Sequence, residues 1–383
     1  MWILTRYWRR RGSYCNLILI VNIVNIYVCM MSTQIVILAG IMSVAGVGKF
    51  ISKKVSKVRW MPMSDTSQPV STTLATGSWD DEQNTVVVWG GAGLGGEARV
   101  VGCADHPGDV TGLVWLNQDL LAASSASGSL VLYKVSTMGV AQEWPQLHMS
   151  GGGGCSALAS HGDSLVTGGQ DGRINVLVST QRSPVKVYEK GDSCSITALT
   201  FTKTSELVSS NMRGQLKTWD LRSNSQTPGN TSSQGAAITC LARHPTQSHI
   251  LVAGGGDGVL AVWDLRSPTH PTTLLSAHKA ALSEVQFHPT QPDHLFTCSQ
   301  GGDICHWNGA SIRRGGTLDT FNQVDNMNTT SPWLSSEAVK HKVETHSLVA
   351  KQPLPVNSLD VVGHSVVFGG DNEAFYVLHN VIF

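Results

Sequence analysis

Fourteen histidines, eight cysteines and many serines give this 383-residue chain the raw material for several chemistries. Acyl transfer in the hydrolase style would need a serine on a Gly-x-Ser-x-Gly elbow, and no such run occurs. Metal binding would need clustered ligands. Cys305-His306 is an adjacent pair, but no partner stands at zinc spacing and no Cys-x-x-Cys exists. Three His-Pro pairs, His106-Pro107, His244-Pro245 and His288-Pro289, look like a ligand set at first sight. Each is placed where the first strand of a repeat turns into the second, a turn that proline favours, so a structural role is expected. Phosphate binding has one formal match, Gly91-Ala-Gly93-Leu-Gly-Gly96, which follows the apolar run Thr85–Trp89. A dinucleotide fold would continue into a helix there, and Glu-Ala-Arg-Val-Val-Gly is too short to form one. Gly48-Lys49 lacks both the upstream glycine and the following hydroxyl residue of a P-loop. No catalytic residue, cofactor or metal is therefore expected.

Composition points the same way. Lys plus Arg equals Asp plus Glu at 27 each, so no global field draws in nucleic acid or an anionic membrane. The cysteines sit singly in strand-like runs such as Ile-Thr-Cys240-Leu, where free Cys acts as a small hydrophobe. That usage fits a reducing compartment. With 39 glycines and only 14% charged residues, the chain favours short strands and tight turns over helices.

Residues 1–41 stand apart. Four arginines (Arg6, Arg9, Arg10, Arg11) precede a stretch from Tyr14 to Gly48 without a single charge. Its length would span a bilayer, which takes roughly 20 apolar residues. Asn16, Asn22 and Asn25 interrupt it, however, and basic residues flank both ends, leaving no orientation by the positive-inside rule. Met42 offers an in-frame start just ahead of the first segment the fold needs. Residues 1–41 read as a hydrophobic leader outside the functional protein, with a membrane anchor as the alternative.

The remainder, residues 42–383, repeats. Gly128, Gly172, Gly214, Gly258 and Gly302 are followed five residues later by Tyr133, Leu177, Trp219, Trp263 and Trp307, and the glycines lie 44, 42, 44 and 44 residues apart. That period is one four-stranded blade of a β-propeller. Before each turn comes a run ending in small residues, for example Val-Thr-Gly-Gly169 and Val-Ala-Gly-Gly255. Seven such runs predict seven blades. In the first, Asn84 is expected to take the place of the turn glycine. The last blade supplies only three strands (356–361, 365–369, 374–378), so its outer strand should come from the N-terminal side, with Lys49–Lys53 as donor. Closing the ring in this way removes an exposed edge. A polar insertion over 310–352 interrupts the sixth blade.

Trp219-Asp220 and Trp263-Asp264, with Trp307-Asn308 as a variant, end third strands as in the WD40 family, which this part of the chain resembles. The resemblance implies an all-β, seven-bladed WD40 propeller. Two blades end instead in Tyr133-Lys134 and Leu177-Val178, and the Gly-His dipeptide is missing, which leaves the buried His–Asp network of the family without its usual signature. Further segments, among them Ser56-Lys-Val-Arg-Trp60, Ala75-Thr-Gly-Ser-Trp-Asp80, Gly214-Gln-Leu-Lys-Thr-Trp-Asp220 and Val356-Asn-Ser-Leu-Asp360, resemble the WD-repeat nucleoporins of the Y-shaped nuclear pore scaffold complex. That resemblance implies a scaffold subunit supporting pore assembly, transport of protein and mRNA, and kinetochore function in mitosis. The implied partners are other nucleoporins, notably a helical-solenoid subunit of the short arm. No small-molecule substrate, direct nucleic-acid contact or membrane contact is expected, unless residues 1–41 anchor.

Four residues are the candidate protein contacts. Trp333 and Leu334 form a large apolar pair in a polar loop, the composition of an interface anchor; alternatively, Trp333 folds back on blade six or seven. Arg222 and Arg266 end two Trp-Asp-Leu-Arg runs, which resemble the pattern by which some WD40 substrate receptors dock on cullin-ring ligase adaptors. The alternative is that each arginine pairs with an acidic group of the neighbouring blade.

Overall fold

The first strands of the blades alternate packed and outward-facing residues, as in Ile238–Arg243, whereas the second strands, such as Ile250–Gly255, are buried along their whole length, so each blade is covered by its neighbours. The computed structural model describes residues 27–31, 34–38, 45–63, 72–92, 97–148, 154–223, 225–310, 312, 331–335, 338 and 343–382. Within them lie six four-stranded antiparallel sheets and one of six strands, arranged as seven blades. The blades span residues 54–105, 110–144, 155–188, 196–233, 238–276, 282–347 and, for the seventh, 356–379 together with Ala45–Phe50. Strands are called a to d from the central channel outward.

Small residues recur on strand b because the next blade's strand a presses on them. A Cβ on Gly77 would come within 2.4 Å of Val110, on Gly168 within 2.7 Å of Ile196, and on Gly369 within 2.6 Å of Val55. The small residues that end these runs are therefore required by the fold. The cause is the adjoining blade, since the strands that line the channel are the a strands. The b–c turns carry the repeat glycines at positive φ, from 75° to 90° at Gly128, Gly172, Gly214, Gly258 and Gly302. In blade 1 the left-handed residue is Asp80 (φ 56°), not Asn84. Asn84 is instead buried and ties the turn together, its amide donating to Asp81 O at 3.1 Å and to Asp109 Oδ1 at 2.9 Å.

The ring closes through the N-terminal side as anticipated, but with a different segment. Ala45–Phe50 pairs along Ala374–His379 as the outer strand of blade 7, so the donor begins four residues before Lys49. Consequently Phe50 ends the strand with 64% of its surface exposed, while Ile51 packs on the core shared by blades 7 and 1. The backbone of Tyr27–Met31 and Gln34–Leu38 adds two further strands outside it. The rest of residues 1–41, and Gly93–Gly96 of the glycine run, lie outside the described residues. Among the described residues no helix is long and apolar enough to cross a membrane.

Antiparallel pairing puts all a–b turns and c–d connections at one end of the ring, and all b–c turns and d–a connections at the other. His244-Pro245 and His288-Pro289 are a–b turns, as expected, and their imidazoles explain the motif. His244 Nδ1 accepts the Gln247 N–H at 3.1 Å, and His288 Nδ1 accepts the Gln291 N–H at 2.9 Å. His106-Pro107 belongs elsewhere: it joins blade 1 to blade 2, and its ring bonds the Tyr133 hydroxyl at 2.9 Å.

Candidate protein-docking face

The insertion of blade 6 joins its strands c (Ile304–Asn308) and d (Glu344–Ser347), so its boundaries are 309–343, narrower than the sequence suggested. It emerges at the same end as both Trp-Asp-Leu-Arg turns. The geometry thus brings all four candidate residues to one face.

Trp333 does not offer its ring to that surface. Within the short 3₁₀ turn Pro332–Leu334 it is fully buried, wedged between blades 5 and 6 among Ile250, Val262, Leu275 and Phe287. Its indole N–H donates to Pro292 O at 2.9 Å, and Thr273 Oγ1 donates to its carbonyl at 3.2 Å. Phe287 meets it edge-on at 6.0 Å. Gly309 leaves the space, since a Cβ there would approach the ring to 3.2 Å. The ring therefore folds back on blades 5 and 6, where the sequence had offered blade six or seven. Leu334 is half-buried against the same cluster.

Arg222 and Arg266 are exposed, at 78% and 64% of their side chains. Neither reaches the next blade. Arg222 grips Asp220 of its own turn at 3.1 and 3.2 Å, and Arg266 grips Asp264 at 2.6 and 2.9 Å. Each aspartate also accepts the backbone N–H of the arginine at 3.0 Å. The arginine side-chain bonds hold both carboxyls below their ordinary range. Exposed pairs of this kind contribute little stability but fix the shape of the turn.

The residues that sequence reasoning missed lie in the channel, a cavity of about 470 Å³ lined by the a strands. Glu284 of blade 6 is buried there and accepts from Arg59 Nη1 at 3.2 Å, from the Ser358 hydroxyl at 2.6 Å and from the Leu359 N–H at 3.2 Å. Lys57 Nζ stands 3.9 Å away. Burial alone would raise the Glu284 carboxyl, but Arg59, Lys57 and the Ser358 hydroxyl outweigh it and hold the group at about 2. Asp360 faces the opposite balance. Burial pushes it up to about 6, although Arg59 and the N–H groups of Trp60 (2.7 Å) and Val361 (2.9 Å) oppose the shift. This network spans blades 6, 7 and 1, the seam where the ring closes. A carboxylate at a buried position of the a strand Leu282–Phe287, between Leu282 and Val285, was the available signal.

The buried His networks are present in part. His148 bonds Asp171 at 3.1 Å and Thr167 at 3.0 Å in blade 3. In blade 6, His278 bonds Thr297 at 2.7 Å, and Thr297 also accepts the Trp307 indole N–H at 3.0 Å. Among the described residues no group of three or more ligating side chains could hold a metal ion.

The comparisons with known proteins fit this architecture. The family "WD domain, G-beta repeat" matches residues 225–264, most of the blade 4–5 junction and blade 5. Mouse nucleoporin Nup43 is 36% identical over 368 residues, covering 86% of this chain and 97% of that protein. Human nucleoporin Nup43 is 35% identical over 376 residues, covering 87% and 98%. Identity at that level, along nearly the whole length of both relatives and on a closed WD40 ring, makes this chain a member of the nucleoporin Nup43 family.

Proposed function

We propose that this propeller is a structural subunit of the nuclear pore complex, holding other nucleoporins in place and turning over no substrate. One observation carries the reading: the kinship with two curated nucleoporins extends over 97–98% of their length. At finer grain, its partner is a helical-solenoid nucleoporin on the short arm of the Y-shaped complex. In this role it supports transport of protein and mRNA and accompanies the complex to kinetochores in mitosis. The relatives favour this over a cullin-ring substrate receptor, and both Trp-Asp-Leu-Arg guanidiniums already have their own aspartates.

The docking surface proposed is the face bearing the blade 6 insertion, Leu334, Arg222 and Arg266. Trp333 acts there as a pin beneath the surface. A fluorescently tagged full-length chain tests the role: it should concentrate in a punctate nuclear rim that coincides with pores and recover slowly after bleaching. A diffuse, rapidly exchanging pool would contradict a scaffold.

A further inference from the structure

Of the chain's 14 prolines, four follow a serine or threonine: Ser183-Pro184, Thr227-Pro228, Ser267-Pro268 and Ser331-Pro332. The ring places all four in one kind of position. They fall in the c–d connections of blades 3, 4, 5 and 6, between Ile174–Val178 and Lys186–Tyr188, Gln215–Asp220 and Asn230–Ser233, Val259–Asp264 and Thr273–Ser276, and Ile304–Asn308 and Glu344–Ser347. Four consecutive blades thus present a hydroxyl residue followed by proline at the same end of the molecule. Three are open to solvent: Ser183, Thr227 and Ser267 are exposed. The fourth is closed, since Ser331 is 2% exposed and its segment is pinned by Trp333.

We propose that the c–d face of blades 3–5 is a phosphorylation surface, with Ser183, Thr227 and Ser267 as acceptors for a proline-directed kinase. Proline after the acceptor removes one N–H and fixes φ, so the segment suits an enzyme whose groove reads an extended Ser/Thr-Pro unit. In each transfer the acceptor oxygen forms a bond to the γ-phosphorus of ATP, and the bond to the β-phosphate oxygen breaks. The hydroxyl proton passes to the base of the kinase and ADP leaves. Each phosphate brings about −1.5 to −2 charges. They would arrive where Arg182, Arg222 and Arg266 stand exposed. A phosphate on Ser267 adjoins Arg266 and competes with Asp264 for its guanidinium.

Ser331 is a built-in control. The full-length folded chain is incubated with ATP and a cyclin-dependent kinase, and sites are mapped by tandem mass spectrometry over time. Phosphate is expected on Ser183, Thr227 and Ser267, while Ser331 lags by at least about tenfold because it must wait for local opening. In the urea-unfolded, diluted chain, Ser331 should be modified alongside the others. Combined Ser183→Ala, Thr227→Ala and Ser267→Ala substitution should abolish most incorporation into the folded chain. The proposal is overturned if the three sites stay unmodified in the folded chain while the unfolded chain accepts phosphate. Equal modification of Ser331 in the folded chain overturns it too, because the fold would then select nothing.

Discussion

Trp89, Trp219 and Trp307 end strand c in their blades, and each gives its indole N–H to a hydroxyl two residues along strand b: Thr76 at 2.9 Å, Ser209 at 2.9 Å and Thr297 at 3.0 Å. Trp263 occupies the matching place in blade 5, but the residue at that position is Ala253, and its buried N–H has no partner among the described residues. An unpaired buried donor is costly, so Ala253→Ser should raise the stability measured by urea unfolding by up to about 1 kcal/mol. Thr297→Val should lower it by about 1–3 kcal/mol, since both His278 and Trp307 lose their acceptor. If Ala253→Ser were neutral or destabilising, the indole would not be what that site lacks. The seam carboxylates predict a pH dependence. Glu284 is held at about 2 against an ordinary 4.5, so its stabilisation is complete above pH 4.5 and drains away as pH falls towards 2. Asp360, raised to about 6, works in the opposite sense: its contribution declines as pH rises from 3.8 to 6 and is then constant. Glu284→Gln leaves Arg59 buried beside a neutral group and should cost about 3–5 kcal/mol at pH 7. The gap from the parent chain should narrow in urea titrations at pH 3, and a pH-independent gap would point to lost packing alone.

At the scale of elements, the closing strand shows how far periodicity can be read. Ala45-Gly-Val-Gly48 carries two glycines and no charge, a weak strand signal, and the donor was expected at Lys49–Lys53 instead. Pairing along Ala374–His379 overrides that weak local preference, because blade 7 would otherwise expose a bare edge. A chain beginning at Met42 keeps this closing strand and loses only the two strands outside it, so it should melt close to the full chain. One beginning at Ser52 should lose on the order of 3–5 kcal/mol, with the missing backbone bonds and the buried face of one strand. Equal melting of the two truncated chains would mean that blade 7 does not rely on Ala45–Phe50. The blade 6 insertion was legible as an insertion and the folding back of Trp333 as one of its two readings, but the pocket was not legible, because residues of blade 5, Phe287 of blade 6 and Gly309 build it together. Trp333→Ala should destabilise by about 3–5 kcal/mol by leaving a cavity. The folded fraction should still bind its partner with little change. Undiminished stability with lost binding would reverse the assignment and make the ring an anchor.

For the whole molecule, the blade count was readable because one rule repeats. The turn glycines from Gly128 to Gly302 stand at positive φ where their spacing put them, and the three strands of the last blade match to within a residue or two. What repetition cannot report is contact between distant blades. Arg59 and Glu284 lie 225 positions apart, and no local pattern announces that closing the ring brings them together. The same holds for the way four candidate contacts converge on one end, which is decided by strand direction around the ring. Affinity capture of the full-length tagged chain from nuclear extract, with quantitative mass spectrometry, decides whether this ring is a stable part of a nuclear pore assembly. Nucleoporins, including a helical-solenoid subunit, should be recovered near one-to-one with the chain and survive a salt wash. Recovery of a cullin-ring ligase adaptor at that stoichiometry with nucleoporins at background would contradict that role.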